Sequence, residues 1–433
     1  VIITERIPVN KRVEIGLVEI PIKQVHMLPS AGGESDVLKA LQLMPGIKGG
    51  NEASSGMYIR GGSNDQNLII LDDVPMFYIN HLRDYISIFN TSALQSVKAY
   101  KAGFPARFGG RLSSVIDIRM RDGNMREHKR EATIGMLSSK ILAEGPLKKD
   151  TSSYLVSIRR FMYDLFMRPV SRILLENASI GYSFWDINLK YNRIINPKDR
   201  IYFSFYSGED AIGLKYKDQL IGTEDKAWSK NQWGNIMGVF RWNHVLSPSL
   251  FTNTTINYSR FRYKIENGYL HKTDSADELN TSVFRSAIHE LSIKYDLEYK
   301  MSANLNFRFG LKQAYNYFVP ESEEINFQGN ETSYKFHDLS MFESSAYLEG
   351  EGYIGKIIGY NLGIRTEDFF TKGSSVYTLQ PRALINIPLL NSTSVKLAYS
   401  KMYQPIHLLA YSGMGLSSDL WLPATRKLIP ESS

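Results

Sequence analysis

The sequence of 433 residues contains no cysteine, which excludes disulfide bonds, cysteine metal ligands and thiol nucleophiles. No run of about 18 consecutive apolar residues occurs, so a transmembrane helix is excluded as well. Only 8 histidines are present, and none has the spacing of a metal motif such as HExxH. What the chain lacks therefore argues against thiol chemistry, a helical membrane span and a metalloenzyme.

Charge and composition narrow the possible partners. The net charge is +7, but the basic residues are spread along the chain with no basic run, so we expect no nucleic-acid partner. Aromatic residues make up 12% of the chain, with 26 tyrosines and 21 phenylalanines. Tyrosine-rich strands are typical of the girdles of membrane barrels, although large soluble β-proteins also carry many aromatics. The mean hydropathy of −0.25 does not separate the two, because an alternating strand averages to near neutral.

The most informative pattern is an alternation of apolar and polar side chains that recurs from about residue 127 to residue 403. In Leu305–Tyr317 the odd positions are mostly large and apolar, and the even positions are mostly polar or small. A period of two places these sets on opposite faces of a β-strand. The apolar face meets a core in a soluble sandwich and meets lipid in an outer-membrane barrel.

About 12 such strands follow one another, and short and long connections alternate between them. The first predicted hairpin pairs strands near Glu131–Leu142 and Ser153–Arg159 through Gly145-Pro146. The other predicted short turns are Asn196–Asp199, Ser247-Pro248, Met301–Asn304, Gly355-Lys356 and Asn391–Thr393. The predicted long connections are Arg160–Ser179, Ser207–Gln232, Lys264–Arg285 and Pro320–Phe342. Small turns on one rim and large loops on the other are typical of an antiparallel transmembrane β-barrel whose short turns face the periplasm.

The first 122 residues have a different pattern. They contain one predicted helix, Glu34–Leu43, with its apolar residues on one face. Short strands are predicted at Met57–Arg60, Asn67–Leu71, Ser96–Lys101 and Val115–Met120. Paired glycines between them mark tight turns. The sequence therefore predicts a compact α+β domain at residues 1–122 and a barrel domain at residues 123–433.

Several motifs of this first domain occur together in one known family. They are residues 28–47, Tyr58–Gly62, Ile70–Met76 and Tyr100–Ile118. In content, order and spacing they resemble the plug domain of TonB-dependent outer-membrane receptors, and Leu379-Gln380-Pro381-Arg382 resembles a barrel-strand motif of the same family. The chain is most similar to the Bacteroidetes branch, in which a carboxypeptidase-regulatory-like domain is expected upstream of the plug.

The resemblance implies a mainly β fold in which a small α+β plug lies inside an incomplete barrel of about 12 of about 22 strands. It implies a cell outer-membrane location in a Gram-negative bacterium. The implied function is uptake of a scarce nutrient, such as a siderophore, cobalamin, a glycan or a peptide, with the plug gating the lumen. The implied partners are the TonB–ExbB–ExbD energising complex, outer-membrane lipid, the nutrient and a surface lipoprotein, with neither a cofactor nor an enzymatic activity.

Two other functions remain open on the same sequence. A signal-transducing or adhesive surface receptor could use this scaffold with little transport. An outer-membrane barrel enzyme would need an aligned nucleophile constellation, and the sequence contains no recognisable one.

A plug must seal a barrel and yet come loose, and pairs of arginine with carboxylate suit both requirements. The predicted contacts between plug and wall are Arg60, Arg107 and Arg111 on the plug with Glu144 and Glu349 on the wall. Ordinary surface charge is the alternative interpretation of these arginines. The predicted turn glycines, where positive φ or close backbone approach is needed, are Gly61, Gly62, Gly109 and Gly110.

Ligand recognition is predicted for an aromatic segment that would form an apical loop of the plug. Its predicted ligand contacts are Phe77, Tyr78, Asn80, His81 and Arg83. Aromatic rings with amide, imidazole and guanidinium groups suit a polar organic ligand, and packing against the barrel wall is the alternative. Upstream of it, Asp72-Asp73 stands where the family usually has Asp-Gly, and a turn is favoured over an acid–base or metal pair because adjacent strand residues point to opposite faces.

Overall fold

The computed structural model describes residues 12–28, 33–49, 56–82, 85–135, 137–220, 223–273, 277–355, 358–389, 393–411 and 418–433. Within these residues the α-helices are α1 (Ile22–Val25), α2 (Val37–Gln42) and α3 (Asp164–Leu174). None of these helices is long and apolar enough to cross a membrane. Most of the remaining ordered backbone is β-strand, as the alternating pattern predicts.

The N-terminal region, residues 12–122, contains nine short strands. They are β1 (Leu17–Pro21), β2 (Ile47–Gly49), β3 (Met57–Ile59), β4 (Asn67–Leu71), β5 (Val74–Pro75), β6 (Asn80–His81), β7 (Ile86–Ser87), β8 (Leu94–Tyr100) and β9 (Ser114–Met120). Five of them form a small sheet in the order β1-β8-β9-β4-β5, in which β4 and β9 are parallel. The strand β4 is an almost continuous apolar run, and it is buried along nearly its whole length.

Helix α2 covers the middle of the predicted helix at Glu34–Leu43, but it is shorter. It begins at the N-cap Asp36, whose carboxylate accepts hydrogen bonds from the amides of Leu38 and Lys39 at 2.7 and 3.2 Å. Glu34 precedes the cap and accepts a hydrogen bond from the hydroxyl of Ser138, a residue of the second sheet described below. The predicted start was therefore wrong because Glu34 makes a long-range contact.

A second, antiparallel sheet contains fourteen strands, and we call it the large sheet. Its strands are β10 (Lys129–Ile134), β11 (Ser138–Lys148), β12 (Ser152–Phe161), β13 (Ala178–Asn196), β14 (Asp199–Leu220), β15 (Thr223–Ser247), β16 (Leu250–Thr273), β17 (Asp277–Ser302), β18 (Leu305–Phe327), β19 (Asn330–Lys335), β20 (Leu339–Ile354), β21 (Ile358–Thr371), β22 (Ser374–Pro388) and β23 (Ser394–Ser400). Consecutive strands pair, except that β18 pairs with both β19 and β20. Within the described residues β10 and β23 are the two ends of this sheet.

The N-terminal region lies against the inward face of the large sheet, from β11 at one end to β23 at the other. Glu34 contacts Ser138 of β11, and a Cβ placed on Gly103 would lie 3.1 Å from Ala398 of β23. Four further strands follow, namely β24 (Tyr403–Gln404), β25 (Ile406–Tyr411), β26 (Ser418–Pro423) and β27 (Glu431–Ser432). The hairpin of β25 and β26 covers the N-terminal region, because the Trp421 ring meets the Phe77 ring edge-on at 5.5 Å between centroids.

The strand bounds correct two predictions. The first hairpin turns at Lys149–Thr151 and not at Gly145-Pro146, which lie inside β11. The predicted long loops are largely strand, since β14 and β15 continue through Ser207–Gln232 as a long hairpin. Backbone pairing needs no alternation of side chains, so these extensions left little signal in the sequence. Arg160–Ser179 contains the helix α3, and Pro320–Phe342 contains the short strand β19.

One face of the large sheet is apolar and the other is polar, as the alternation predicts. On β13, Trp185 is 39% exposed on the outward face, whereas the neighbouring Asp186 is fully buried on the inward face. On β17, Leu291, Ile293 and Tyr295 are exposed, and Ser292 between them is buried. The outward face is therefore a continuous apolar surface, and the inward face presents polar groups to the N-terminal region.

The apolar outward face leads to a prediction about contact with lipid. Replacing Ile293, which is 48% exposed, by arginine should lower the free energy of unfolding from lipid vesicles. The expected loss is about 2–4 kcal/mol, because the charge would face hydrocarbon. Tyr334→Arg is the control, since Tyr334 is 62% exposed on the extension β19 and its replacement should cost less than about 1 kcal/mol. Equal losses in the two variants of the full-length protein would contradict a lipid-facing band.

Candidate functional site

The contact between the N-terminal region and the large sheet, which we call the seam, combines apolar clusters with many polar and charged side chains. Its principal members in the N-terminal region are Glu34, Asp72, Asp73, His81, Asn90, Arg107 and Arg121. Its principal members in the large sheet are Lys140, Glu144, Ser157, Arg159, Asp186, Lys190, Asp210, Arg241, Glu349 and Arg382. These sheet residues occupy inward positions of their strands. Because side chains alternate between the two faces, only every second residue of a strand can reach the seam.

Glu34 forms one buried anchor of the seam. Its carboxylate lies 2.6 Å from Lys140 Nζ and 2.9 Å from Arg159 Nη1, and it accepts a hydrogen bond of 2.6 Å from Ser138 Oγ. Burial alone would raise the pKa of Glu34, but the charges of Arg159 and Lys140 outweigh burial and lower this pKa to about 2. Glu34 is therefore ionised and bound to two cations of the large sheet.

His81 forms a second anchor. Its Nδ1 lies 2.7 Å from Asp210 Oδ2 and its Nε2 lies 3.2 Å from Asp186 Oδ2, while its ring stacks on Phe184 at 4.1 Å between centroids. Burial alone would lower the pKa of His81, but Asp210 and the hydrogen bonds to both carboxylates raise it. Arg159 Nε also binds Asp186 at 2.7 Å, so the Glu34 and His81 anchors form one network.

The turn Asp72-Asp73 between β4 and β5 forms a third anchor. Both residues have positive φ, 50° and 74°, as the predicted hairpin turn requires. Asp72 lies 2.5 Å from Lys190 Nζ, and Asp73 lies 2.9 Å from Arg241 Nη2. Sequence reasoning assigned these carboxylates only a turn role and missed their contacts with the wall. The available signal was the second aspartate, which stands where glycine would fit the turn with less strain.

Arg107 and Glu349, two of the predicted contact residues, form an ion pair with 2.6 Å between Nη1 and Oε1. Glu349 is fully buried and also binds Arg308 at 3.2 Å and Asn361 at 3.0 Å. Two cations and an amide therefore share one carboxylate on the wall. The part that this pair plays in gating remains a prediction.

Arg382 holds the neighbouring loop of the N-terminal region. Its Nη1 donates to the carbonyl oxygens of Phe104, Pro105 and Phe108 at 3.2, 2.8 and 2.7 Å. Its guanidinium also lies over the Phe104 ring, 4.7 Å from the centroid. The prediction of site residues missed Arg382, because its partners are backbone carbonyls that no sequence pattern marks. Its only signal was the resemblance of Leu379–Arg382 to a family motif.

Three of the predicted contact residues, Arg60, Glu144 and Arg111, have surroundings that differ from those expected. Arg60 is exposed and has positive φ, and among the described residues no carboxylate lies within ion-pair distance of it. The left-handed turn directs its guanidinium towards Gly16 of the same region, so Arg60 does not reach the described wall. Glu144 binds Arg121, which had not been predicted, and the predicted arginines lie elsewhere.

Arg111 is buried beside the wall, but no carboxylate in the described part of the chain lies within ion-pair distance of it. Its Nη1 donates to the Gly110 carbonyl at 2.9 Å, and its guanidinium lies 5.5 Å from the centre of a Trp421 ring. Among the turn glycines, Gly61 and Gly110 have positive φ. Gly62 and Gly109 permit close approach instead, and a Cβ at Gly109 would overlap Arg365.

The predicted ligand segment packs against the large sheet. Tyr78 stacks on Phe261 at 5.5 Å, and Asn80 and His81 are 2% and 1% exposed. For Asn80 and His81 the structure thus corrects the expectation of an open ligand surface, because the wall and its ion pairs enclose them. Phe77 is likewise buried under Trp421, and Arg83 lies outside the described residues.

The raised pKa of His81 gives the seam a predicted pH dependence. Charged His81 contributes stability that is fully present below its unfolded pKa of about 6.5 and is lost as the pH rises through its higher folded pKa. The N-terminal region of the full-length protein should therefore become easier to digest with protease as the pH rises from about 6 to about 9. His81→Gln should remove this component, and an identical pH profile in both proteins would contradict it.

Comparison with known proteins agrees with this architecture. Residues 28–114 match the family model described as TonB-dependent Receptor Plug Domain. No curated protein matches the chain.

Solved structures of similar fold cover nearly the whole chain. The siderophore receptor PirA from Acinetobacter baumannii is 16% identical with a TM-score of 0.64, over 99% of this chain and 68% of its own. BauA, the ferric preacinetobactin receptor from the same species, is 11% identical with a TM-score of 0.63, over 98% and 68%. The ferripyoverdine receptor of the outer membrane of Pseudomonas aeruginosa is 12% identical with a TM-score of 0.63, over 92% and 58%.

The chain therefore spans about three fifths to two thirds of the length of these receptors. At these identities the likeness establishes the fold and not the ligand. The chain has the fold of TonB-dependent receptors, a mainly β architecture in which a large antiparallel sheet encloses a plug-like α+β region.

Proposed function

We propose that this protein is a TonB-dependent receptor of the bacterial outer membrane that takes up a scarce nutrient. In this proposal residues 1–122 are the plug, and residues 123–433 are the N-terminal part of the transmembrane barrel. The match of residues 28–114 to the plug model and the fold of the large sheet support this division.

The polarity of the seam is the observation that carries the proposal. A permanent contact between two bodies gains most from apolar packing, since a buried ion pair must first offset the loss of its hydration. Here the apolar clusters shared by plug and wall are joined by Glu34, Asp72, His81 and Arg107, all bound to charges of the wall. Such contacts are specific and strong while dry, and water that enters the seam weakens each of them. A plug fastened in this way can both seal the lumen and come loose.

The energy for loosening would come from outside this chain. The outer membrane holds no ATP, so TonB with ExbB and ExbD would transmit the inner-membrane proton-motive force by pulling on the plug. Ligand binding on the outer side would prepare that step. The similar structures include receptors for siderophores, ferric preacinetobactin and ferripyoverdine, which makes an iron siderophore the first substrate to test, before cobalamin, glycans and peptides.

A signal-transducing or adhesive receptor remains the alternative function. It would use the same plug and wall without moving a solute past them. We also propose, from the sequence motifs alone, that the chain belongs to the Bacteroidetes-type receptors, with a regulatory-like domain upstream and a surface lipoprotein as partner. Uptake into cells separates transport from signalling.

The uptake experiment uses the full-length gene in a strain that lacks its other receptors. Labelled ferric siderophore, cobalamin, oligosaccharide and peptide are offered in turn, with and without an intact tonB gene. We expect one class of solute to accumulate, and only when TonB is present. Binding without accumulation would favour the signalling receptor, and accumulation without TonB would contradict the proposal.

The seam itself can be tested at Arg107. Arg107→Ala removes the plug partner of the buried Glu349, which keeps Arg308 and Asn361, so the change should cost about 1.5–3 kcal/mol and make cells permeable to large antibiotics. Arg126→Ala is the matched control, because the Arg126–Asp150 pair lies at the surface, where an ion pair is worth about 0.2–1 kcal/mol. Cells that stay impermeable with Arg107→Ala would show that this ion pair does not hold the plug.

A further inference from the structure

The seam is uneven around the plug. Towards β11–β15 the plug and wall touch through the anchors of Glu34, His81 and Asp72. Towards β16–β20 two cavities separate them, with volumes of about 100 and 410 Å³. Both cavities have the plug on one side and inward residues of the large sheet on the other.

The two cavities are stacked along the strands. On β16, the cavity nearer the short turns is lined by Phe251 and Asn253, and the other cavity by Thr255 and Asn257. On β17 the linings run together from Glu298 to Glu290, a length of about 26 Å at about 3.3 Å per residue. We call the pair the lower and the upper cavity, the lower one being nearer the short turns.

A thin partition lies between the cavities. Asp73, Arg107 and Phe108 of the plug and Lys294 and Tyr347 of the wall line both of them. Arg107 is fixed by Glu349, and Phe108 belongs to the loop whose carbonyls bind Arg382. Displacement of this loop would widen the connection between the two spaces beside the anchored turn at Asp73.

The wall of the upper cavity holds polar atoms that lack a partner. Asn257 Oδ1 and Ser292 Oγ are buried, and within the described residues neither has a hydrogen-bond partner, while Glu290 Oε1 lies 3.6 Å from Lys312 Nζ. Buried polar atoms almost always bind protein, water or a ligand, so these two atoms suit a hydrated or solute-filled space. On the opposite side Asp186 and Lys190 bind the plug, although Tyr206 Oη and Asn231 Oδ1 also lack a partner among the described residues.

The charges that line the cavities favour an anion. Cationic side chains outnumber carboxylates in both linings. Arg111, which is 8% exposed, lines the upper cavity without a carboxylate at ion-pair distance in the described part of the chain. One of its donors binds the Gly110 carbonyl, and a guanidinium has five. A carboxylate or similar group in the cavity could therefore bind it in the bidentate manner.

We propose that the stacked cavities along β16–β20 are the path by which a polar, anionic solute passes the plug, and that Arg111 binds its charged group in the upper cavity. This path rests on the proposed transport function and adds the solute class and the side of the barrel that opens. The anchors towards β11–β15 hold the plug in place while the loop at Arg107 and Phe108 moves.

The absence of cysteine allows a direct test with single cysteines in the full-length protein. Asn257→Cys lines the upper cavity, and Asn188→Cys is the matched control, since both are inward asparagines, 5% and 2% exposed, but Asn188 lies towards the anchors. The probes are two small methanethiosulfonates, an anionic sulfonatoethyl and a cationic trimethylammonium reagent. The cysteine at position 257 should react at least about tenfold faster than that at 188, because it needs no local unfolding.

The role of Arg111 is tested on the cysteine at position 257. For that cysteine we take the ratio of the reaction rates with the anionic and the cationic reagent. This ratio should be at least about five times the same ratio for a free thiol in solution. Arg111→Gln should abolish this preference and Arg111→Lys should keep it, with protease resistance of the plug reporting that each variant is folded. A preference that survives Arg111→Gln in the folded protein would overturn the assignment of Arg111, and equal rates at 257 and 188 would overturn the path. Labelling as predicted in a protein whose uptake ignores TonB would leave the path standing and refute the proposed function alone.

Discussion

The structure depends on one constraint. The inward face of the large sheet is polar, and its charged and hydrogen-bonding groups need partners in a place where little water is available. Every strand alternates, so an apolar outward face such as Trp185, Ile187 and Leu189 on β13 brings Asp186, Asn188 and Lys190 inward. Buried charges without partners would cost several kcal/mol each. The N-terminal region supplies the partners, and this is why its own surface is charged where it meets the wall.

The contacts between the plug and the large sheet are distributed unevenly around the plug. Glu34, His81 and Asp72 join the plug to consecutive strands on one side, through a network in which Arg159 and Asp186 are shared. On the other side the contacts thin out into two cavities, separated by the loop that Arg382 holds through its carbonyls. In the proposed function, this arrangement would let the plug open at one side while the anchors hold it at the other. The large sheet itself keeps its backbone pairing throughout, because its strands are joined by main-chain hydrogen bonds, whereas the wall contributes side chains to the seam.

Local patterns could be predicted from the sequence, and long-range pairings could not. The alternation at Leu305–Tyr317 predicted which side chains face outward, and the turn at Asp72-Asp73 followed from its place in a hairpin. The ion pair of Arg107 with Glu349 spans 242 positions, and only the resemblance to a known family suggested it. Arg382 and Lys190 were missed, because nothing local tells a wall residue which plug atom it will meet. The extensions of β14 and β15 were missed because backbone pairing leaves no mark on side chains.

The central claim is that the plug is a separate unit held by polar contacts inside a more stable sheet. Native-state hydrogen exchange of the full-length protein in lipid, at increasing urea, tests it most directly. The account predicts that amides of β4, β8 and β9 exchange through a partial opening, at a lower free energy than those of β13–β18, which stay protected. A seam substitution such as Arg107→Ala should lower the free energy of opening for the plug amides and leave that of β13–β18 unchanged. Exchange of both sets at one common free energy, as a single cooperative unit, would contradict it.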